Sequence, residues 1–165
     1  MNFGPNSGAA GTWQVRAAAP DDVEQVVQLA GLMYESMGID PADRGWREVA
    51  QAAFSRRLGG DLMVFVVDDP TRPCVLAACG AGTTALRLPG PLNLGARVGY
   101  LQWISTDPRW RRRGLARAVT TALVDEFRTR GVGVVELHAT AQAEPLYRSL
   151  GFGEGQGPGL RLSLH

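Results

Sequence analysis

Apolar positions along this chain change their period several times. Val23, Val26, Val27, Ala30, Met33, Tyr34 and Met37 recur at helical spacing, which predicts one face of an amphipathic helix. Ala19-Pro20-Asp21-Asp22 supplies its start, with proline and two acids in the first turn, and Gly38 its stop. Trp46, Val49, Ala50, Ala53, Phe54 and Leu58 repeat the spacing in a second helix that Gly59-Gly60 closes. Residues 12–17 read as a short strand. Residues 62–67 are a continuous apolar run, the pattern of a strand buried on both faces. A turn over 68–73 leads to a strand at 74–86, its expected antiparallel partner, and a loop rich in Pro and Gly leads to another at 97–105.

The second half alternates more regularly. Leu115, Val119, Ala122, Leu123 and Phe127 mark a helix with Arg128 and Arg130 in its last turn and Gly131 as its cap. A strand at 132–139 and a short helix at 145–150 follow. Leu160, Leu162 and Leu164 alternate with Arg161, Ser163 and His165, the pattern of a half-buried final strand. The order β-α-α-β-β-β-α-β-α-β predicts an α/β fold: a mixed, mostly antiparallel central sheet flanked by helices, parallel around the crossover helix.

Length narrows this to one domain. The chain has 165 residues, and residues 12–165 form the expected domain behind a loose tail at 1–11. That tail lacks the basic start and apolar stretch of a signal peptide, and no apolar run reaches the length of a membrane span. A cytoplasmic protein without membrane association is therefore expected. Cys74 and Cys79 lack a CxxC spacing, and two His residues allow no zinc pattern, so no metal is expected and both thiols read as buried and free.

Charge changes the picture more. All 17 basic residues are Arg, against 16 acids. With no Lys, a Walker A lysine, a Schiff-base lysine and a lysine general base are all excluded. Five Arg (109, 111, 112, 113 and 117) cluster between a strand and a helix, and the remaining chain carries 12 Arg against 16 acids. Unpaired N–H groups and the macrodipole at a helix N-terminus favour an anion, and Gly114 permits close backbone approach. Three readings stand for this cluster: a cradle for a small phosphorylated ligand, a solvated basic turn, and a nucleic-acid patch. Low aromatic content and the lack of a reading motif speak against nucleic acid, and no G-x-G-x-x-G is present.

Arg111-Arg112-Arg113-Gly114-Leu115-Ala116 resembles the [Q/R]-x-x-G-x-[G/A] signature of the GNAT superfamily of acyl-CoA-dependent N-acetyltransferases. The segment from Thr140 to Phe152, T-A-Q-A-E-P-L-Y-R-S-L-G-F, resembles that family's N-x-x-A-x-x-x-Y-x-x-x-G-F. One helix and one strand separate the two, as the family requires, and the resemblance spans residues 12–165.

The resemblance implies a GNAT fold and transfer of acetyl from acetyl-CoA to a primary amine by direct attack in a ternary complex. It implies that backbone N–H groups of Arg112, Arg113, Gly114, Leu115 and Ala116, preceded by Arg111, bind the coenzyme A pyrophosphate. A bulged strand would splay from its parallel neighbour, and the pantetheine arm would pair near Ile104, Ser105 and Thr106, with Thr140 and Ala143 on the facing side. Tyr147 matches the general-acid tyrosine that protonates the leaving thiolate; a packed helix tyrosine is the plainer alternative. Thr140 replaces the usual Asn.

The acceptor groove would be walled by Tyr34, Glu35, Trp46 and Trp103. Glu35, Asp40 and Asp43 there suit a cationic amine. Glu35, Asp40, Glu136 and His138 are the candidates for a general base. A homodimer is compatible with the resemblance, and a coenzyme A-binding sensor without turnover is the alternative function.

Overall fold

In a computed structural model, which describes residues 13–42, 45–155 and 157–164, five strands lie side by side in chain order. They are β1 (Arg16–Ala17), β2 (Leu62–Asp68), β3 (Leu76–Leu86), β4 (Arg97–Thr106) and β5 (Val134–Glu136). Neighbours run antiparallel except β4 and β5, which are parallel. A parallel pair cannot be joined by a tight turn; here α3 (Leu115–Thr129) makes the crossover. Helices α1 (Val23–Ser36) and α2 (Trp46–Arg57) precede β2, and α4 (Glu144–Ser149) follows β5. The mixed, mostly antiparallel sheet expected from the sequence is the one observed.

The sheet is buried on both faces, which explains why residues 62–67 are apolar without alternation. Leu62, Val64 and Val66 pack with Val26, Leu29 and Phe54 from α1 and α2. Met63 packs with Leu123 and Phe127 from α3, and Val67 with Leu115 and Val119. Burying each such side chain contributes about 1.5–3 kcal/mol. Glycine lets α3 approach closely: a Cβ on Gly99 would lie 2.6 Å from Phe127 Cε1, and one on Gly82 2.7 Å from Phe127 Cζ.

Several boundaries differ from the sequence reading. The first strand is only two residues, and Thr12 and the tail at 1–11 lie outside the described residues. The strand expected over 132–139 pairs only at Val134–Glu136, because the chain then leaves β4. Val49, placed on the apolar face of the second helix, is 69% exposed. Cys79 is buried as expected, but Cys74 is exposed in the β2–β3 turn.

The final strand is the largest correction. Residues 160–164 join no ladder, and Leu160, Leu162 and Leu164 are exposed. Alternation states which side chains would share a face, but burial needs a surface to receive that face. The preceding segment, G-E-G-Q-G-P-G over 153–159, supplies little side chain and a high entropic cost of ordering.

Candidate active site

The site begins at an irregularity in β4. Cys79 pairs with Ser105 and Ala81 with Gln102, so Gly80 alone faces both Trp103 and Ile104. One extra residue on β4 makes a β-bulge. Trp103 takes the strain, with φ of +54°, a conformation that costs on the order of 1–3 kcal/mol. Its surroundings hold it there. Its indole Nε1 donates to the Tyr34 hydroxyl at 3.2 Å, and its carbonyl accepts from the Cys79 thiol at 3.4 Å. A Cβ on Gly80 would sit 2.8 Å from Ile104 Cδ1 and 3.0 Å from Leu123 Cδ1, so a larger residue opposite the bulge would require these side chains to shift. Next along the strand, Ser105 Oγ donates to the Leu29 carbonyl at 2.7 Å and fixes α1 against β4.

Past their paired segment the two parallel strands part. β4 and β5 are in register only at Val98–Val134, Gly99–Val135 and Tyr100–Glu136. Beyond it a cavity of about 1000 Å³ opens between them. Ile104, Ser105 and Thr106 line one side, Leu137 to Thr140 the other.

One end of this cavity is the loop before α3. Arg111, Arg112, Gly114, Leu115 and Ala116 line it. Arg112 and Gly114 both have positive φ, at +63° and +87°. Left-handed residues interleaved with others turn successive N–H groups to one side and form an anion-binding nest. Ala118 N is the first amide of this helix to find a backbone acceptor, at Gly114 O; none of the amides from Arg112 to Arg117 has one among the described residues. Arg113 is different: it is not among the lining residues, its guanidinium stacks on the Trp110 ring at 4.9 Å, and its carbonyl accepts from Trp13 Nε1 at 2.7 Å.

Behind the loop lies a carboxylate that the sequence reading missed. Asp69 is buried and accepts from the Thr71 hydroxyl and amide, Arg72 Nε, Arg109 and Trp110 Nε1, all within 2.7–2.9 Å. Burial alone would push its carboxyl up; the bonds from Thr71, Trp110 and Arg72 reverse this and hold it far below the ordinary carboxylate range. Arg72 also reaches Asp107, whose side chain caps the turn at Arg109 N. The β2–β3 turn thus anchors the approach to the loop before α3. Nothing in the spacing of D-D-P marked Asp69 beyond a turn.

Tyr147 also lines the cavity. It is buried at 8% exposure, its ring meets Phe152 edge-on at 5.9 Å, and its hydroxyl has no hydrogen-bond partner among the described residues. Burial raises its pKa above the ordinary tyrosine value of 10, so the phenol is neutral and a competent proton donor. α4 begins at Glu144 with Pro145 in its first turn, where the missing N–H costs nothing. Thr140 Oγ1 accepts from Ala143 N at 3.3 Å, and both residues line the cavity.

The other end faces α1. Tyr34, Met33, Met37, Ile39, Trp103 and Leu160 line it. Trp46 is not in the lining; it meets Tyr34 edge-on at 5.6 Å and braces it from behind. Glu35 and Asp40 are exposed and also outside the lining, and Asp43 lies outside the described residues. Among the described residues, no Asp or Glu lines the cavity.

The family model described as the acetyltransferase (GNAT) family matches residues 35–152. The chain belongs to the GNAT family. It is therefore an acyltransferase, in a family that uses acetyl-CoA. It is 26% identical over 140 residues to a glucosamine 6-phosphate N-acetyltransferase of Trypanosoma brucei brucei, covering 84% of this chain and 88% of the relative. A shorter match, 46% over 54 residues, covers 31% of this chain and 36% of a ribosomal protein bS18-alanine N-acetyltransferase of Salmonella typhimurium. The fold is also that of a predicted acetyltransferase from Clostridium acetobutylicum solved with acetyl-CoA. That match has a TM-score of 0.81 and 23% identity, over 93% of this chain and 97% of the other. Among the described residues, no helix is long and apolar enough to cross a membrane.

Proposed function

We propose that this N-acetyltransferase moves acetyl from acetyl-CoA to a primary amine by direct attack in a ternary complex, with Tyr147 as the acid for the leaving thiolate. The observation that carries the reading is one cavity that joins three things: the amides of Arg112 to Ala116 and the Tyr147 hydroxyl, all without partners among the described residues, and the gap between β4 and β5. A pyrophosphate suits the amides because they need an acceptor and the helix end favours negative charge. An extended pantetheine arm suits the gap, where the strands have stopped pairing. The thioester then lies beside the bulge, within reach of Tyr147. Direct attack gains most of its rate from positioning, and the buried Cys79 is spent on the bulge carbonyl rather than offered as a nucleophile.

The acceptor end supports an amine with an apolar body rather than a polycation. Its walls are Met, Ile, Leu, Tyr and Trp side chains, with no carboxylate among the described residues to pair with a second ammonium. A phosphorylated amino sugar, the acceptor named for the trypanosome relative, has one observation in its favour: Arg161 lines the cavity and makes no ion pair among the described residues.

The test is acetyl-CoA-dependent thiol release over a panel of 2-phenylethylamine, tyramine, glucosamine 6-phosphate and spermidine, with melting curves alongside. Acetyl-CoA is expected to raise Tm, and an apolar monoamine to be turned over fastest. No melting shift at millimolar acetyl-CoA would defeat the cofactor assignment; preference for spermidine would defeat the acceptor class.

A further inference from the structure

We propose that the amine proton leaves through a relay, from the acceptor nitrogen to the Tyr100 hydroxyl and from Tyr100 to Nδ1 of His138. The proposal rests on the acetyl-transfer reading above and adds to it the group that activates the acceptor.

An amine in water at neutral pH is mostly an ammonium, which has no lone pair to attack with. Something at the acceptor end must take a proton. The four sequence candidates do not survive equally. Glu35 and Asp40 are exposed and outside the cavity lining, and Asp40 accepts from Ala42 N at 2.8 Å. Glu136 also lies outside the lining and is held by both guanidinium nitrogens of Arg87, at 2.7 and 2.9 Å. His138 lines the cavity, and its Nδ1 is 2.8 Å from the Tyr100 hydroxyl.

Tyr100 brings the pair to the reacting centre. It sits on β4 three residues before Trp103, at the last position where β4 and β5 remain in register. Its ring lies 5.8 Å from the imidazole. It is half-buried, whereas His138 is exposed. That arrangement places a hydroxyl inside and a proton reservoir in contact with water behind it. Among the described residues, the charged groups to name are Glu136, two positions before His138 and already paired with Arg87, and Arg161, which lines the same cavity from the C-terminal segment; that segment nears the ring at Gly159, where a Cβ would be 3.9 Å from His138 Nε2.

The step balances. An ammonium N–H bond breaks as a Tyr100 O–H bond forms, while the original Tyr100 proton moves to His138 Nδ1 and then to solvent. The freed lone pair forms the N–C bond to the thioester carbonyl, whose π pair moves to oxygen. When the intermediate collapses the C–S bond breaks and sulfur takes the Tyr147 proton. The second nitrogen proton replaces it through water. Net release is one proton.

The experiment uses the full chain with 2-phenylethylamine and acetyl-CoA. His138→Gln and Tyr100→Phe should each lower kcat/KM by roughly 100-fold or more. Both should abolish the acid limb of the wild-type pH profile and leave acetyl-CoA affinity and Tm unchanged. Added imidazole should restore His138→Ala. 2,2,2-Trifluoroethylamine, a much less basic amine, should lose far less in His138→Gln because less of it needs deprotonation. Wild-type turnover with an intact acid limb in either variant would overturn the relay alone. Absence of wild-type turnover with all four panel amines would instead overturn the acetyl-transfer reading, and the relay with it.

Discussion

The Cys79 thiol donates to the Trp103 carbonyl at 3.4 Å, joining a fully buried residue of β3 to the strained residue of the β4 bulge. Burial pushes that thiol up to about 12, so it is un-ionised at any pH the fold experiences. A thiol reagent needs thiolate and access. The native protein should therefore give one fast-reacting thiol, the exposed Cys74, and release the second only on unfolding. A count of two fast thiols by a chromogenic disulfide would contradict the burial of Cys79. Cys79→Ala should cost about 1 kcal/mol from the lost hydrogen bond and lower kcat by freeing the bulge.

Tyr147 is raised above the ordinary tyrosine value by burial. A general acid works while protonated, so activity should be retained as pH rises through 10 and fall only beyond it. Tyr147→Phe removes the donor. Its kcat should drop roughly 100-fold or more with acetyl-CoA affinity unchanged, and its alkaline limb should vanish. A variant with wild-type kcat would remove Tyr147 from the mechanism.

The family was legible in the sequence because both segments that resemble its signatures are local: one is a run of residues at a helix start, the other a short stretch around α4. The residues that hold the site were not. Asp69 serves Arg109 and Trp110, 40 and 41 positions away, and Tyr100 meets His138 38 positions away. Such pairs depend on which distant strands and turns the fold brings together, which local periodicity does not state. The helices and long strands followed their periodicity well. The failed final strand had a correct pattern but no surface to bury it.

Asp69 should govern both acid stability and cofactor affinity. Asp22, Asp68 and Asp69 all have carboxyls held below the ordinary range by arginine or other donors. A depressed carboxyl contributes stability that is fully present above its unfolded pKa, about 3.9, and is lost as pH falls toward the folded value. Asp69→Asn should thus lower Tm at pH 7, with the gap to wild type narrowing below about pH 4. It should also weaken acetyl-CoA binding, because Arg109 and Trp110 lose the acceptor that positions the loop before α3. Calorimetry across pH and a binding titration check the two halves separately.

The contact between Gly99 and Phe127 sets how closely α3 sits on the sheet. A Cβ on Gly99 would come within 2.6–2.9 Å of three Phe127 ring atoms, and both residues are buried. Gly99→Ala should destabilise by about 1–3 kcal/mol through overpacking. Phe127→Leu alone should also destabilise, by opening a cavity. Combined, each relieves the other's defect, so the double variant should be more stable than the sum predicts. On the same helix Thr120 Oγ1 is buried without a partner among the described residues. Thr120→Val removes an unmet polar group at nearly constant shape and should hold or raise Tm. Additive losses for Gly99 and Phe127 in urea melts would show that the close approach lies elsewhere.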